Sequence, residues 1–205
     1  MPPIILHQYD LSPFCEKVRL AFGLKGMEWH AVETPIWPPK PDLVPLTGGR
    51  ALPRAAARGR HLLRFEPGPA RGSAGSRHPA SSSRTARRAS APAVGWWAEK
   101  PWFFPAATLV TSFIGDQLPA EFVADRKAAM GRDFARRPAR RAALEPAAPA
   151  RPSHRLAQML ADGRPFLLGA AASAADLAAY HPLWFARQNG GPEVEALLPL
   201  APLLD

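Results

Sequence analysis

Ser12, Pro13, Phe14 and Cys15 follow a short apolar run, Ile4-Ile5-Leu6, and an Asp10-Leu11 turn, which places a hydroxyl and a thiol where a helix begins. The first N–H groups of a helix have no intrahelical acceptor, and together with the helix dipole they favour an anion. A thiolate is such an anion, and a sulfur held at a helix start loses its proton more easily. Two side chains are candidates for this chemistry. Ser12 offers a hydroxyl beside that anion site, and Cys15, the single cysteine of the chain, is a candidate redox thiol. Each also has a plainer structural reading. Ser followed by Pro is what a helix N-cap and first helical position favour, and a lone cysteine one turn further on is more often a small buried hydrophobe than a nucleophile. His7, His30 and His181 have no metal-ligand spacing; each reads as a satisfied or exposed imidazole, and no metal is expected. Trp96, Trp97 and Trp102 read as core or inter-domain packing rather than a ligand cage. Glycine-rich phosphate loops and paired catalytic carboxylates are absent from the sequence.

The elements needed to position Ser12 are legible on either side of it. Ile4 to Leu6 predicts a buried strand. Val18, Ala21, Phe22 and Lys25 carry on at helical spacing, and Gly26 supplies a stop. Trp29 to Val32 predicts a second strand, after which Pro35, Pro38, Pro39 and Pro41 hold the chain extended. Strand, helix, strand is a βαβ opening, assigned to residues 1–49. Order returns at Val94, with Gly95-Trp96-Trp97 and Trp102-Phe103-Phe104 too aromatic for a linker. Helix is predicted for Val94 to Phe134 and for Arg155 to Tyr180. In the second stretch Ser173-Ala174-Ala175-Asp176 has the spacing of a helix-start box, where hydroxyl and carboxylate each satisfy a backbone N–H. The fold class is therefore α/β plus all-α, with residues 93–205 as the helical domain.

Composition bounds the rest. With 205 residues, 47% hydrophobic and 21% charged, the chain reads as a soluble globular protein. Its most apolar stretch, Trp102 to Ile114, is interrupted by Pro105 and falls short of the roughly 20 residues of a membrane span, so no membrane partner is expected. The absence of positive charge before Lys17 argues against a secretory signal, and one cysteine suits a reducing cytoplasm. The formal charge of +9 has a single origin: residues 50–92 hold ten arginines and one acid, Glu66, while the remaining 16 bases meet 16 acids. That segment has neither helical nor strand periodicity. It predicts an irregular, basic, Arg/Pro/Ser/Ala-rich stretch with few buried side chains.

Leu6-His7-Gln8-Tyr9-Asp10-Leu11-Ser12-Pro13-Phe14-Cys15-Glu16-Lys17-Val18-Arg19 resembles the opening of a bacterial, serine-type glutathione S-transferase. Pro35 to Gly49, with Lys40-Pro41-Asp42-Leu43, is similar to the segment leading into that family's third strand. Pro165-Phe166-Leu167-Leu168-Gly169 followed by Ser173-Ala174-Ala175-Asp176-Leu177 is similar to its C-terminal-domain helix cap. The resemblance covers about residues 3–49, 94–134 and 156–204. It implies a thioredoxin-like first half, a helical second half, glutathione as co-substrate, a small electrophile as second substrate, and a homodimer. By the same resemblance Ser12 would hydrogen-bond the glutathione sulfur, Phe14 would wall the site, Lys40 would meet the glycyl carboxylate, and Leu52-Pro53 would be the cis-proline pair.

The chain departs from the family between residues 50 and 92. The third and fourth strands and the acidic-Ser/Thr pair that grips the γ-glutamyl group are not readable there, so the thioredoxin-like sheet is expected to be incomplete. Synonymous codons for Arg54 to Glu66, read one nucleotide later, can encode an apolar strand followed by an Asp-Ser pair. Those for His78 to Ala91, read two nucleotides later, can encode a family-like stretch. The sequence reading is that most of residues 50–92 is out of frame, with Arg136 to His154 as a second case and the C-terminus truncated. Three functions stay open: a glutathione transferase, whose activity as encoded is an open question; a non-catalytic glutathione-transferase-like structural or interaction protein; and a nucleic-acid binder acting through Arg50 to Arg88. The third would show a steep salt dependence, and confinement of the charge to one segment argues against it.

Overall fold

The computed structural model describes residues 4–49, 52–57, 60–62, 90, 92–97, 102–131 and 150–197. The first half opens with strand β1 (Ile4–Gln8), helix α1 (Pro13–Leu24) and strand β2 (Trp29–Glu33). A one-turn helix α2 (Val44–Thr47) follows, then strands β3 (Arg54–Ala57) and β4 (Arg60–Leu62). The sheet order is β2-β1-β3-β4. β2 runs parallel to β1, with Leu6 opposite Ala31, while β3 runs antiparallel to it, with Leu6 opposite Ala55 and His7 opposite Arg54. A βαβ crossover feeding a parallel strand is the connection that the predicted strand-helix-strand order requires. β1 is interior to the sheet, and Leu6 of β1 and Cys15, Val18 and Ala21 of α1 are buried.

The hairpin corrects the expectation for residues 50–92. Little regular structure was expected there, yet β3 pairs with β1, and β4 pairs with β3 through Ala55–Leu62, Ala56–His61 and Ala57–Arg60. The sheet is therefore completed rather than incomplete. Ladder hydrogen bonds are made by backbone groups that alanine carries as well as valine does. A run of alanines has no apolar alternation to announce a strand, and the pairing is supplied by the neighbouring β1. Residues 54–57 and 60–62 as written form the two strands of the hairpin. The other out-of-frame readings fall on His78 to Ala91 and Arg136 to His154, of which only Ser90 and residues 150–154 are described.

The second half is helical. A helical stretch at 92–97 precedes α3 (Phe103–Ile114), a 3-10 turn (Gly115–Gln117), α4 (Ala120–Met130), α5 (Ala150–Met159) and α6 (Ala174–Leu197). α6 is broken at Gly191, whose φ of 66° no β-substituted residue adopts comfortably, immediately before Pro192. α3 packs along α6. Leu109 and Val110 of α3 and Ala175, Ala178, Leu183 and Ala186 of α6 share one core with Trp102 and Leu156. The alanines on α6 bring the two helix axes close. Two expectations are corrected here. Residues 160–173 are not helical but form a loop with an isolated Phe166–Gly169 bridge, because Gly163 (φ 80°) and Pro165 end α5. Trp96 is 63% exposed, whereas Trp102 is buried and Trp97 packs against the core.

Candidate functional site

Ser12 caps α1 in extended conformation (φ −78°, ψ 118°), and its Oγ accepts from the Cys15 N–H at 3.2 Å. Pro13 occupies the first turn, where its missing N–H leaves nothing unsatisfied. The Ser12 N–H donates to the Tyr9 carbonyl at 3.1 Å, closing the turn that leads out of β1. A hydroxyl that accepts in the cap still has its own proton to donate. Burial raises the Tyr9 pKa, and the Arg126 charge and the Ser12 hydroxyl work against that rise. Ser12 itself is only 1% exposed.

Lys40 is buried and holds its Nζ 5.9 Å from the centre of the Tyr9 ring. Arg126, from α4, donates from Nη2 to the Ile36 carbonyl at 3.2 Å and lies over the Phe122 ring at 5.0 Å. Tyr9 thus meets both Ser12 and Lys40, its carbonyl accepting from the Ser12 N–H and its ring lying under the Lys40 ammonium. The Leu52–Pro53 peptide is cis. Since Arg54, the next residue, pairs with His7 near the end of β1, this peptide lies at the end of the sheet from which the Tyr9–Ser12 turn departs.

Phe14 and Cys15 point elsewhere. The Phe14 ring packs across the domain seam on Phe103 (4.8 Å) and His181 (5.3 Å), so this side chain ties α1 to the helical half. Cys15 is completely buried, and burial pushes its thiol pKa up against the opposing effect of the Ser12 hydroxyl. His181 departs from its expected character, being neither satisfied nor exposed. It is fully buried, its Nδ1 lies 3.3 Å from the Leu177 carbonyl, and its Nε2 has no partner. Burial, reinforced by the Lys17 charge, lowers its pKa to about 3. His30 is exposed. No group of His, Cys, Asp or Glu among the described residues is arranged to hold a metal ion.

A polar brace fixes the turn that carries Ser12. Arg19 of α1 donates to Glu16 at 2.8 Å, to the Asp10 carbonyl at 3.0 Å and to the Gln8 side chain, and its guanidinium lies 5.9 Å from the Trp184 ring of α6. Gln8 in turn donates to Asp10 at 3.1 Å. Both ends of the turn, and the helix it starts, are therefore held by one side chain.

Residues 6–54 match the family described as Glutathione S-transferase, N-terminal domain. The chain has the glutathione S-transferase fold. A GST-like protein from Pseudomonas syringae aligns over 95% of this chain at 25% identity with a TM-score of 0.55, and the chain covers 60% of that protein. A glutathione S-transferase from Rhodospirillum rubrum F11 aligns over 97% at 19% identity and a TM-score of 0.60, with 84% of it covered. The apo form of a glutathione S-transferase III aligns over 98% at 14% identity and a TM-score of 0.61, with 89% covered. This chain thus spans less than two thirds of the length of the Pseudomonas syringae protein. No curated protein matches by sequence. In the glutathione S-transferase frame, sequence reasoning missed Tyr9 and Arg126. Tyr9 lay in the quoted motif, three residues before Ser12, and its place in the same turn was the available signal. Arg126 had none, since it reaches Ile36 across 90 residues of chain.

Proposed function

We propose that this chain binds glutathione, activates its thiol at Ser12 and transfers it to a small electrophile. The observation that carries the reading is Ser12 at the N-cap of α1, at the end of a four-stranded sheet whose 6–54 stretch matches the family's N-terminal domain. The Ser12 hydroxyl would donate to the glutathione sulfur, and the first-turn N–H groups of α1 would favour the thiolate. The thiol proton leaves to solvent, the sulfur forms a bond to the electrophilic carbon, and the leaving group departs with its electron pair. Lys40 would meet the glycyl carboxylate, the backbone at cis Leu52–Pro53 would meet the peptide, and the helical half would supply the electrophile pocket. Phe14 supports that arrangement from the seam. A homodimer and a cytoplasmic site of action belong to the same proposal. No helix among the described residues is long and apolar enough to cross a membrane.

The near-complete burial of Ser12 favours a second reading, a non-catalytic protein of the same fold whose surface binds a partner. Two measurements on the whole chain separate them: retention on glutathione resin, and conjugation of glutathione to chlorodinitrobenzene. Retention with turnover well above the uncatalysed rate supports the transferase. Failure of both supports the second reading.

A further inference from the structure

The 34–43 segment is poor in backbone donors. Pro35, Pro38, Pro39 and Pro41 have no N–H, so a regular ladder cannot hold it. Its two ends are tied within the first half. The Thr34 N–H donates to the Gln8 carbonyl at 2.7 Å, and the Leu43 and Val44 N–H groups donate to the Lys40 carbonyl at 3.2 and 3.1 Å. Between those ties, two successive residues are met by the helical half. Arg126 of α4 donates from Nη2 to the Ile36 carbonyl at 3.2 Å. Trp37 meets Phe122, one turn before Arg126 on the same helix, edge-on at 6.3 Å, and both rings are half-buried. The Arg126 guanidinium lies 5.0 Å from the centre of the Phe122 ring, and its Nη1 is 3.8 Å from Asp125 Oδ2. Two neighbours on α4 therefore orient the group that reaches across.

We infer that Arg126 is a positioning residue: with Phe122 it latches the 34–43 strap to the helical half and so fixes where Lys40 stands beside the Ser12 turn. The consequence for glutathione rests on the reading above, in which Lys40 meets the glycyl carboxylate. Lys40 follows Trp37 across Pro38 and Pro39, whose rings fix φ and pass a displacement of Trp37 along the chain with little slack. The buried Lys40 holds its Nζ 5.9 Å from the centre of the Tyr9 ring, and the Tyr9 carbonyl accepts from the Ser12 N–H. With the latch made, the ammonium is already in place when the ligand arrives. With the latch broken, binding must also order the strap, and affinity falls. The latch acts on binding and leaves the chemistry at the sulfur to Ser12.

The test uses the whole chain, Arg126→Met, Arg126→Lys and Trp37→Leu, the last of which removes the second contact from the strap side. Amide hydrogen exchange is followed by mass spectrometry over 34–47 and over α1, with no glutathione present. The expected result is exchange over 34–47 about tenfold faster in Arg126→Met and Trp37→Leu, near-parental exchange in Arg126→Lys, and α1 unchanged. Calorimetry is expected to show glutathione bound about tenfold more weakly by Arg126→Met, with partial recovery in Arg126→Lys. Turnover of chlorodinitrobenzene at saturating glutathione should stay at the parental kcat. Parental exchange over 34–47 in both Arg126→Met and Trp37→Leu overturns the latch, and so does faster exchange over 34–47 and α1 alike. Faster exchange confined to 34–47 but with unchanged glutathione affinity, or with an equal fall in kcat, overturns the positioning role. If the parent binds no glutathione, the transferase reading fails and takes the positioning role with it, while the exchange measurement still decides the latch.

Discussion

Ser12 caps α1 and is proposed to donate to a glutathione sulfur, two duties whose energies separate. Loss of the cap costs about 1 kcal/mol of stability and leaves chemistry per folded molecule unchanged. Loss of the donor to sulfur changes the thiol's protonation. The cap was legible in the sequence, because a cap and its helix lie within a few residues of each other. Cys15 was legible only as a pair of alternatives. In the structure it is fully buried with its pKa pushed up by that burial. Native protein at neutral pH should therefore react with iodoacetamide far more slowly than the unfolded chain. Alkylation at the unfolded rate would contradict this placement. Tyr9 and Lys40 show the limit of residue-level reading: their convergence depends on how the proline-rich 34–43 segment folds back, and no spacing encodes that.

Local logic carries the element scale further in the helical half than in the sheet. The Ser173 box forms as its spacing predicts: Ser173 Oγ accepts from the Ala175 N–H at 3.2 Å, while the Asp176 carboxylate accepts from the Ser173 N–H (2.7 Å) and hydroxyl (2.6 Å). Asp176 also accepts from the Leu167 N–H at 2.7 Å, which ties the 160–173 loop to the start of α6. Ser173→Ala should cost about 1 kcal/mol in a denaturant melt. Asp176→Ala should cost about 2 kcal/mol or more, since it strands two backbone donors and a hydroxyl. Equal losses in the two variants would mean that the tie to the loop contributes nothing. The β3–β4 hairpin shows why the rest was illegible. Arg54-Ala55-Ala56-Ala57 has no side-chain pattern of a strand, and its partner β1 is some fifty residues away in sequence, so the pairing exists only once the sheet does.

The two halves of the molecule meet through α1 and α6, where Phe14, Phe103 and His181 stack beside Lys17. None of these contacts follows from periodicity, because each joins residues from different elements. They have a pH consequence. His181 titrates near 6.5 when unfolded and at about 3 when folded, so between those values the unfolded chain binds the extra proton. Its contribution to stability is therefore whole above the unfolded value and is lost as pH falls toward 3. Lys17, lowered by burial to about 8, is charged throughout that window and opposes a second charge beside it. His181→Leu should flatten the stability profile between about pH 4 and pH 6, removing up to about 1.4 kcal/mol per pH unit. An unchanged slope would show that other groups govern acid unfolding.

The central claim is that Ser12 holds and activates a glutathione thiolate. The direct measurement is the ultraviolet absorbance of enzyme-bound thiolate titrated against pH in the parent chain and in Ser12→Ala, at a temperature where circular dichroism shows both folded. The account predicts a bound-thiol pKa below that of free glutathione in the parent. It predicts a curve displaced upward by about one unit or more in Ser12→Ala, each unit being about 1.4 kcal/mol of lost anion stabilisation. Superimposed curves, or no bound thiolate in the parent at any pH where it is folded, would contradict it.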